Sequence, residues 1–155
     1  MKKGCDPMKK ILAFVLALVF VVIFAGCEKE TVTITHNWGV SLEAQNVTAT
    51  GLTIVCHQSG GDDVFELSTG SYYVIHKLGK HGWKDVKYVR PKRNLSWTLE
   101  AWLIPSESST AWDVNWEWLY GKLPAGQYRI GKEISNFRGT GDFEKELIYA
   151  EFIIP

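Results

Sequence analysis

Residues 116–130 read Trp116-Glu117-Trp118-Leu119-Tyr120-Gly121-Lys122-Leu123-Pro124-Ala125-Gly126-Gln127-Tyr128-Arg129-Ile130. The run Leu-Pro-x-Gly-x-Tyr leads into a strand, Gln127–Ile134: Pro124 fixes φ in the turn, and Gly126 permits φ > 0. Working outward, short strand-like segments alternate with turn residues and no helix is expected. Upstream they are Val40–Val47, Leu52–Gln58 and Val64–Leu67, then Ser71–Leu78 paired with Trp83–Val89 around Gly79-Lys80-His81-Gly82, a hairpin by composition. Trp97–Ile104 and Ala111–Leu119 flank Pro105–Ser109, and Glu146–Ile154 closes the set. Seven to nine short strands joined by loops predict an all-β, antiparallel two-sheet sandwich, with an all-β barrel as the structural competitor.

One feature favours the sandwich. The turn before Tyr128 resembles the tyrosine corner of immunoglobulin-like and fibronectin-like domains, in which a Tyr early in a strand bonds back to the preceding loop. A longer pattern joins Val47-Thr48-x-Thr50-Gly51-Leu52-Thr53, Trp83-x-x-Val86, the 116–130 block and Ala150-Glu151-Phe152-Ile153. Together they resemble a bacterial Ig-like domain carried on membrane-anchored lipoproteins, mostly of Gram-positive bacteria. The likeness covers about residues 39–155. Members typically have Pro where Ala125 stands, which leaves the turn logic unchanged. The resemblance implies an Ig-like fold and an extracytoplasmic location, and it implies no catalytic residue.

The N-terminus is an address. Residues 9–26 read KKILAFVLALVFVVIFAG: two lysines precede an uncharged run from Ile11 to Gly26, the layout of a secretory signal. Met8 makes a more economical start than Met1. Phe24-Ala25-Gly26-Cys27 resembles a lipobox, with Phe24 in place of the usual Leu; that likeness implies cleavage after Gly26 and a diacylglyceryl group on Cys27. Two acyl chains suffice for stable anchoring. An uncleaved transmembrane anchor is the alternative, although the run is shorter than the ~20 residues of a spanning helix. The expected organisation is a signal peptide over 1–26, a lipid-anchored tether over 27–38 and the domain over 39–155.

Charge narrows the partners. The chain has 155 residues with 17 Lys+Arg and 17 Asp+Glu. Four lysines and one acid precede Cys27, so the remainder carries 13 basic and 16 acidic side chains, net about −3. A mildly acidic body argues against nucleic acid, which needs clustered Lys/Arg. The basic residues Lys84, Lys87, Arg90, Lys92 and Arg93 fit either contact with an anionic surface or a charge-protected edge strand. Cys56 is the one cysteine of the body; its alternation with Leu52 and Ile54 marks it as a buried small hydrophobe.

Hydrolase, phosphate-loop and paired-Cys metal motifs are absent from the sequence. His76 and His81 flank one hairpin turn without a visible third ligand, and Asp62-Asp63 begin a calcium set without completing it. No cofactor and no enzyme activity are expected. The seven Trp are the functional clue. A regular strand puts Trp112, Trp116 and Trp118 on one face. Trp116 and Trp118 are expected in the core and Trp112 exposed, while Trp97 and Trp102, five apart, fall on opposite faces. Trp97, Trp102 and Trp112 are therefore the candidate aromatic contacts for sugar rings or an apolar partner surface. The expected function is a lipid-anchored binding or structural module whose partner is an envelope protein or glycan. The alternatives are an accessory or sensor subunit of a membrane complex, or a hydrolase or peptidase inhibitor on the same scaffold.

Overall fold

The computed structural model describes residues 36–89 and 95–155. The expected signal peptide, Gly26, Cys27, Arg90, Lys92 and Arg93 lie outside the described residues.

Eight strands and one helical turn follow in order among the described residues: β1 (Val40–Gln45), β2 (Gly51–Gln58), β3 (Glu66–Gly79), β4 (Gly82–Asp85), β5 (Trp102–Leu103), β6 (Ser108–Asn115), α1 (Glu117–Tyr120), β7 (Gly126–Gly139) and β8 (Asp142–Ile154). They form an antiparallel sandwich. One sheet has the order β1-β2-β6; the other runs β4-β3-β7-β8, with β5 also pairing on β3. β2 shows why the layers stick: Leu52, Ile54, Cys56 and Gln58 are buried while their neighbours are half-exposed, the period-two pattern of a sheet with one face on the core. β7 faces it with Tyr128, Ile130, Lys132, Ile134 and Asn136 turned inward.

β1 packs against β8, so the strand orders bring β6 over β3 and β5 on the other flank of the sandwich. That flank stays partly open, because β5 pairs for only two residues, Ser68 with Leu103 and Thr69 with Trp102.

Several expectations change. The expected strands Val64–Leu67 and Ser71–Leu78 merge into one continuous strand, β3, and its hairpin partner ends at Asp85 rather than Val89. The 97–104 segment is not a strand over its length. Only Trp102 and Leu103 pair, because Ser71 Oγ and the β3 bulge between Thr69 and Tyr73 hold the approaching chain instead. The strand Ala111–Leu119 stops at Asn115. Asn115 Oδ1 accepts the Glu117 N–H at 3.0 Å, and the N–H groups of Leu119 and Tyr120 close onto the Trp116 carbonyl. One turn of helix results, ended by Gly121 at φ +70°. Residues 116, 119 and 120 then face inward, the i, i+3, i+4 spacing of a helix, which throws Trp118 outward. Trp118, expected in the core, is 42% exposed, whereas Trp116 is fully buried. Finally, β7 and β8 run five and four residues further into their shared hairpin than the hydrophobic pattern reached.

Trp38, read as part of the tether, is buried in the core, and the His36 N–H donates to the Val40 carbonyl at 2.8 Å. Cys56 is fully buried, and burial pushes its thiol up to about 11.

Candidate functional site

The tyrosine-corner geometry is present at the start of β7. The Tyr128 hydroxyl donates to the Pro124 carbonyl at 2.8 Å, and its ring stacks on Phe152 at 5.6 Å between centroids. Trp116 anchors the other side of the same core: its indole N–H donates to the Ala49 carbonyl at 3.0 Å, and its ring lies 5.6 Å from Phe152. These residues build the scaffold.

A cleft of about 230 Å³ opens on the flank where β6 faces β5. Its walls are Trp97, Trp102, Trp112 and Trp118. All three sequence candidates converge here, joined by the Trp that the sequence assigned to the core. Trp97 and Trp102 do not point apart, because the chain between them is not a regular strand and period-two facing does not apply. Trp112 occupies an inward position of β6, in register with buried Ile54, and stays half-exposed because β6 is an edge. Trp118 reaches the cleft from α1.

The rings form two pairs. Trp102 and Trp112 are nearly parallel, 30° between planes and 6.4 Å between centroids. Trp97 and Trp118 meet edge-on at 69° and 5.9 Å. Tyr73, also lining the cleft, packs edge-on against Trp97 at 5.2 Å, and its hydroxyl donates to the Asn115 carbonyl at 3.3 Å. Burial raises the Tyr73 phenol well above its usual range, so it is neutral.

Ser71, Ser96, Thr98, Asp113, Asn115 and Lys132 supply the polar lining. Asp113, the cleft's one carboxylate, already accepts the Thr53 hydroxyl at 2.7 Å. Lys132 was missed by sequence reasoning. It sits on β7 between Ile130 and Ile134 at a core-facing position and is only 2% exposed. Its ammonium donates to the Gly70 carbonyl in the β3 bulge and lies 5.4 Å from the centroid of the Trp102 ring. Desolvation lowers its pKa to about 8. Asn136, the other polar break in the β7 inner face, pins the 59–65 loop: its side chain donates to the Asp63 carbonyl and accepts the Phe65 N–H.

On the opposite face of the larger sheet, Arg129 is stacked between Trp83 at 4.9 Å and Tyr149 at 4.0 Å. Its Nε–H donates to His76 Nδ1 at 3.0 Å, so the His76 proton sits on Nε2, 3.1 Å from Asp85. Burial and the Arg129 charge lower the His76 pKa. His76 is thereby committed to a surface ladder. Among the described residues no cluster of His, Cys, Asp or Glu is arranged to hold a metal ion.

A protein family described as Bacterial Ig-like domain matches residues 35–152. No curated protein and no solved structure matches the chain.

Proposed function

The chain belongs to the bacterial Ig-like domain family, and from that premise we propose that it is a non-catalytic binding module whose site is the four-tryptophan cleft and whose ligand is a cell-envelope glycan. The observation that carries this reading is the convergence of Trp97, Trp102, Trp112 and Trp118 on one open flank. Trp118 is exposed and the other three rings are partly so; bare indole surface is costly to hydrate, and monomers rarely leave apolar patches without a use. Flat rings with a few polar groups around them match the alternating apolar and hydroxylated faces of a sugar. Asp113 is the only Asp, Glu, His or Cys lining the cleft among the described residues, an arrangement that favours binding over acid–base chemistry there.

We place the module on the extracytoplasmic face of the membrane, held through Cys27. The support is the Lys9-Lys10 lead, the apolar run to Gly26 and the lipobox-like Phe24-Ala25-Gly26-Cys27.

Co-sedimentation of the full chain, in detergent, with insoluble bacterial envelope polysaccharide tests the reading. The wild-type chain is expected in the pellet and the doubly substituted Trp102→Ala, Trp112→Ala chain in the supernatant. Equal pelleting of the two, or none, contradicts it.

A further inference from the structure

A lysine at a core position needs a reason. Burying an ammonium is unfavourable unless it is paired, and a Met or Leu would fill the same space between Ile130 and Ile134 without that penalty. Lys132 has one hydrogen-bond acceptor, the Gly70 carbonyl, and one ring, Trp102, beside its ammonium. An ammonium carries three donors. Among the described residues no carboxylate lies within 4 Å of it, so its charge is uncompensated. The bulge carbonyl explains one donor. Lys132 lines the tryptophan cleft, so the rest of its hydrogen-bonding capacity and its net positive charge border that space.

We propose that the cleft takes an anionic sugar, its ring stacked on the Trp102–Trp112 pair and its carboxylate or phosphate seated on the Lys132 ammonium. This rests on the cleft being a glycan site and names the class of glycan. A cation in an apolar surround interacts with an incoming anion far more strongly than one in bulk water, because little solvent screens the pair. Asp113 does not occupy the ammonium: it forms no ion pair with Lys132, and its Oδ1 accepts the Thr53 hydroxyl at 2.7 Å. The ring pair then supplies contact area, and Lys132 supplies selection for charge.

The test is Trp-fluorescence titration of the full chain in detergent with soluble bacterial envelope polysaccharide in three forms: untreated, carboxyl-reduced, and dephosphorylated with hydrofluoric acid. Affinity is expected to fall at least tenfold after one of the two treatments, which identifies the anion as carboxylate or phosphate. Lys132→Met is expected to bind the untreated polymer with that same loss and to show no further fall with the treated one, while Lys132→Arg retains the preference. Should Lys132→Met fold poorly, wild-type affinity for the untreated polymer is expected to fall between about 0.05 and 0.5 M salt, with the discriminating treatment removing the salt dependence. Equal binding of all three forms by the wild type overturns the anionic assignment and leaves the glycan reading standing. Failure of the wild type to bind the untreated polymer overturns both.

Discussion

Trp102 and Trp112 come from different sheets, yet their rings stand nearly parallel, 6.4 Å apart, across the open flank of the sandwich. Such a pair contributes about 0.5–1.5 kcal/mol beyond its buried area. Each ring is partly exposed, so truncation removes less core contact than at the fully buried Trp116. Trp102→Ala and Trp112→Ala are each expected to lower stability by about 1–2 kcal/mol in urea denaturation, with the pair sub-additive because the rings touch. Trp116→Ala removes a fully buried ring and the hydrogen bond to Ala49. Its expected loss is about 3–5 kcal/mol. The ranking, core ring above cleft rings, is the checkable content.

Tyr128→Phe isolates the corner. The ring, its stack on Phe152 and the buried area survive, and only the 2.8 Å bond to the Pro124 carbonyl is lost. A loss of about 0.5–1.5 kcal/mol is expected. The urea midpoint shifts at constant slope, since the same surface is exposed on unfolding. Glycan binding at the cleft is unchanged.

Lys132 makes stability depend on pH in a defined direction. Its folded pKa lies at about 8, below the ordinary lysine value of 10.5. The unfolded chain therefore holds the proton more tightly, and the stability linked to this group is present above 10.5 and lost as pH falls through 8. The groups packed about it do not reverse this: Tyr73 across β3 is neutral, Trp102 is uncharged, and Asp113 at the cleft wall forms no ion pair with it. Over that window the effect amounts to about 3 kcal/mol. Urea midpoints of the wild type are expected to climb from about pH 7.5 to 10.5 relative to those of Lys132→Met. Parallel pH profiles for the two chains contradict this.

The anchor is tested in cells. Cys27→Ser is expected to leave an unprocessed precursor that takes up no labelled fatty acid, while the wild-type chain is labelled. Labelling that persists in the variant contradicts attachment at Cys27.

Much of this fold was legible because its decisive signals are local. The Leu123-Pro124-x-Gly126-x-Tyr128 turn and the alternation of Leu52, Ile54 and Cys56 each carry their structural meaning in a few residues. The Gly79–Gly82 hairpin was found for the same reason. What escaped depends on tertiary context. In Asn115-Trp116-Glu117-Trp118-Leu119-Tyr120, spacing of two and spacing of three or four are both satisfied, and the Asn115 side chain on the Glu117 N–H decides for the turn of helix. The outer parts of β7 and β8 carry exposed Phe137, Phe143 and Leu147, so their pairing shows no hydrophobic alternation. The three candidate tryptophans were identified as surplus aromatic surface, but their meeting in one cleft depends on β6 lying over β5, which no short-range pattern encodes. Lys132 did have a signal: it interrupts the series Tyr128, Ile130, Ile134 at an inward position, where a charged residue needs a partner.

The most direct measurement is ¹⁹F NMR of the full chain labelled with 5-fluorotryptophan, titrated with soluble envelope polysaccharide. The seven Trp give seven resonances, assigned by single Trp→Phe substitutions. The signals of Trp97, Trp102, Trp112 and Trp118 are expected to move together with one saturation curve, while those of Trp38, Trp83 and Trp116 stay in place. Shifts confined to Trp83, or no shift at any Trp at saturating polysaccharide, would contradict a glycan site in the cleft.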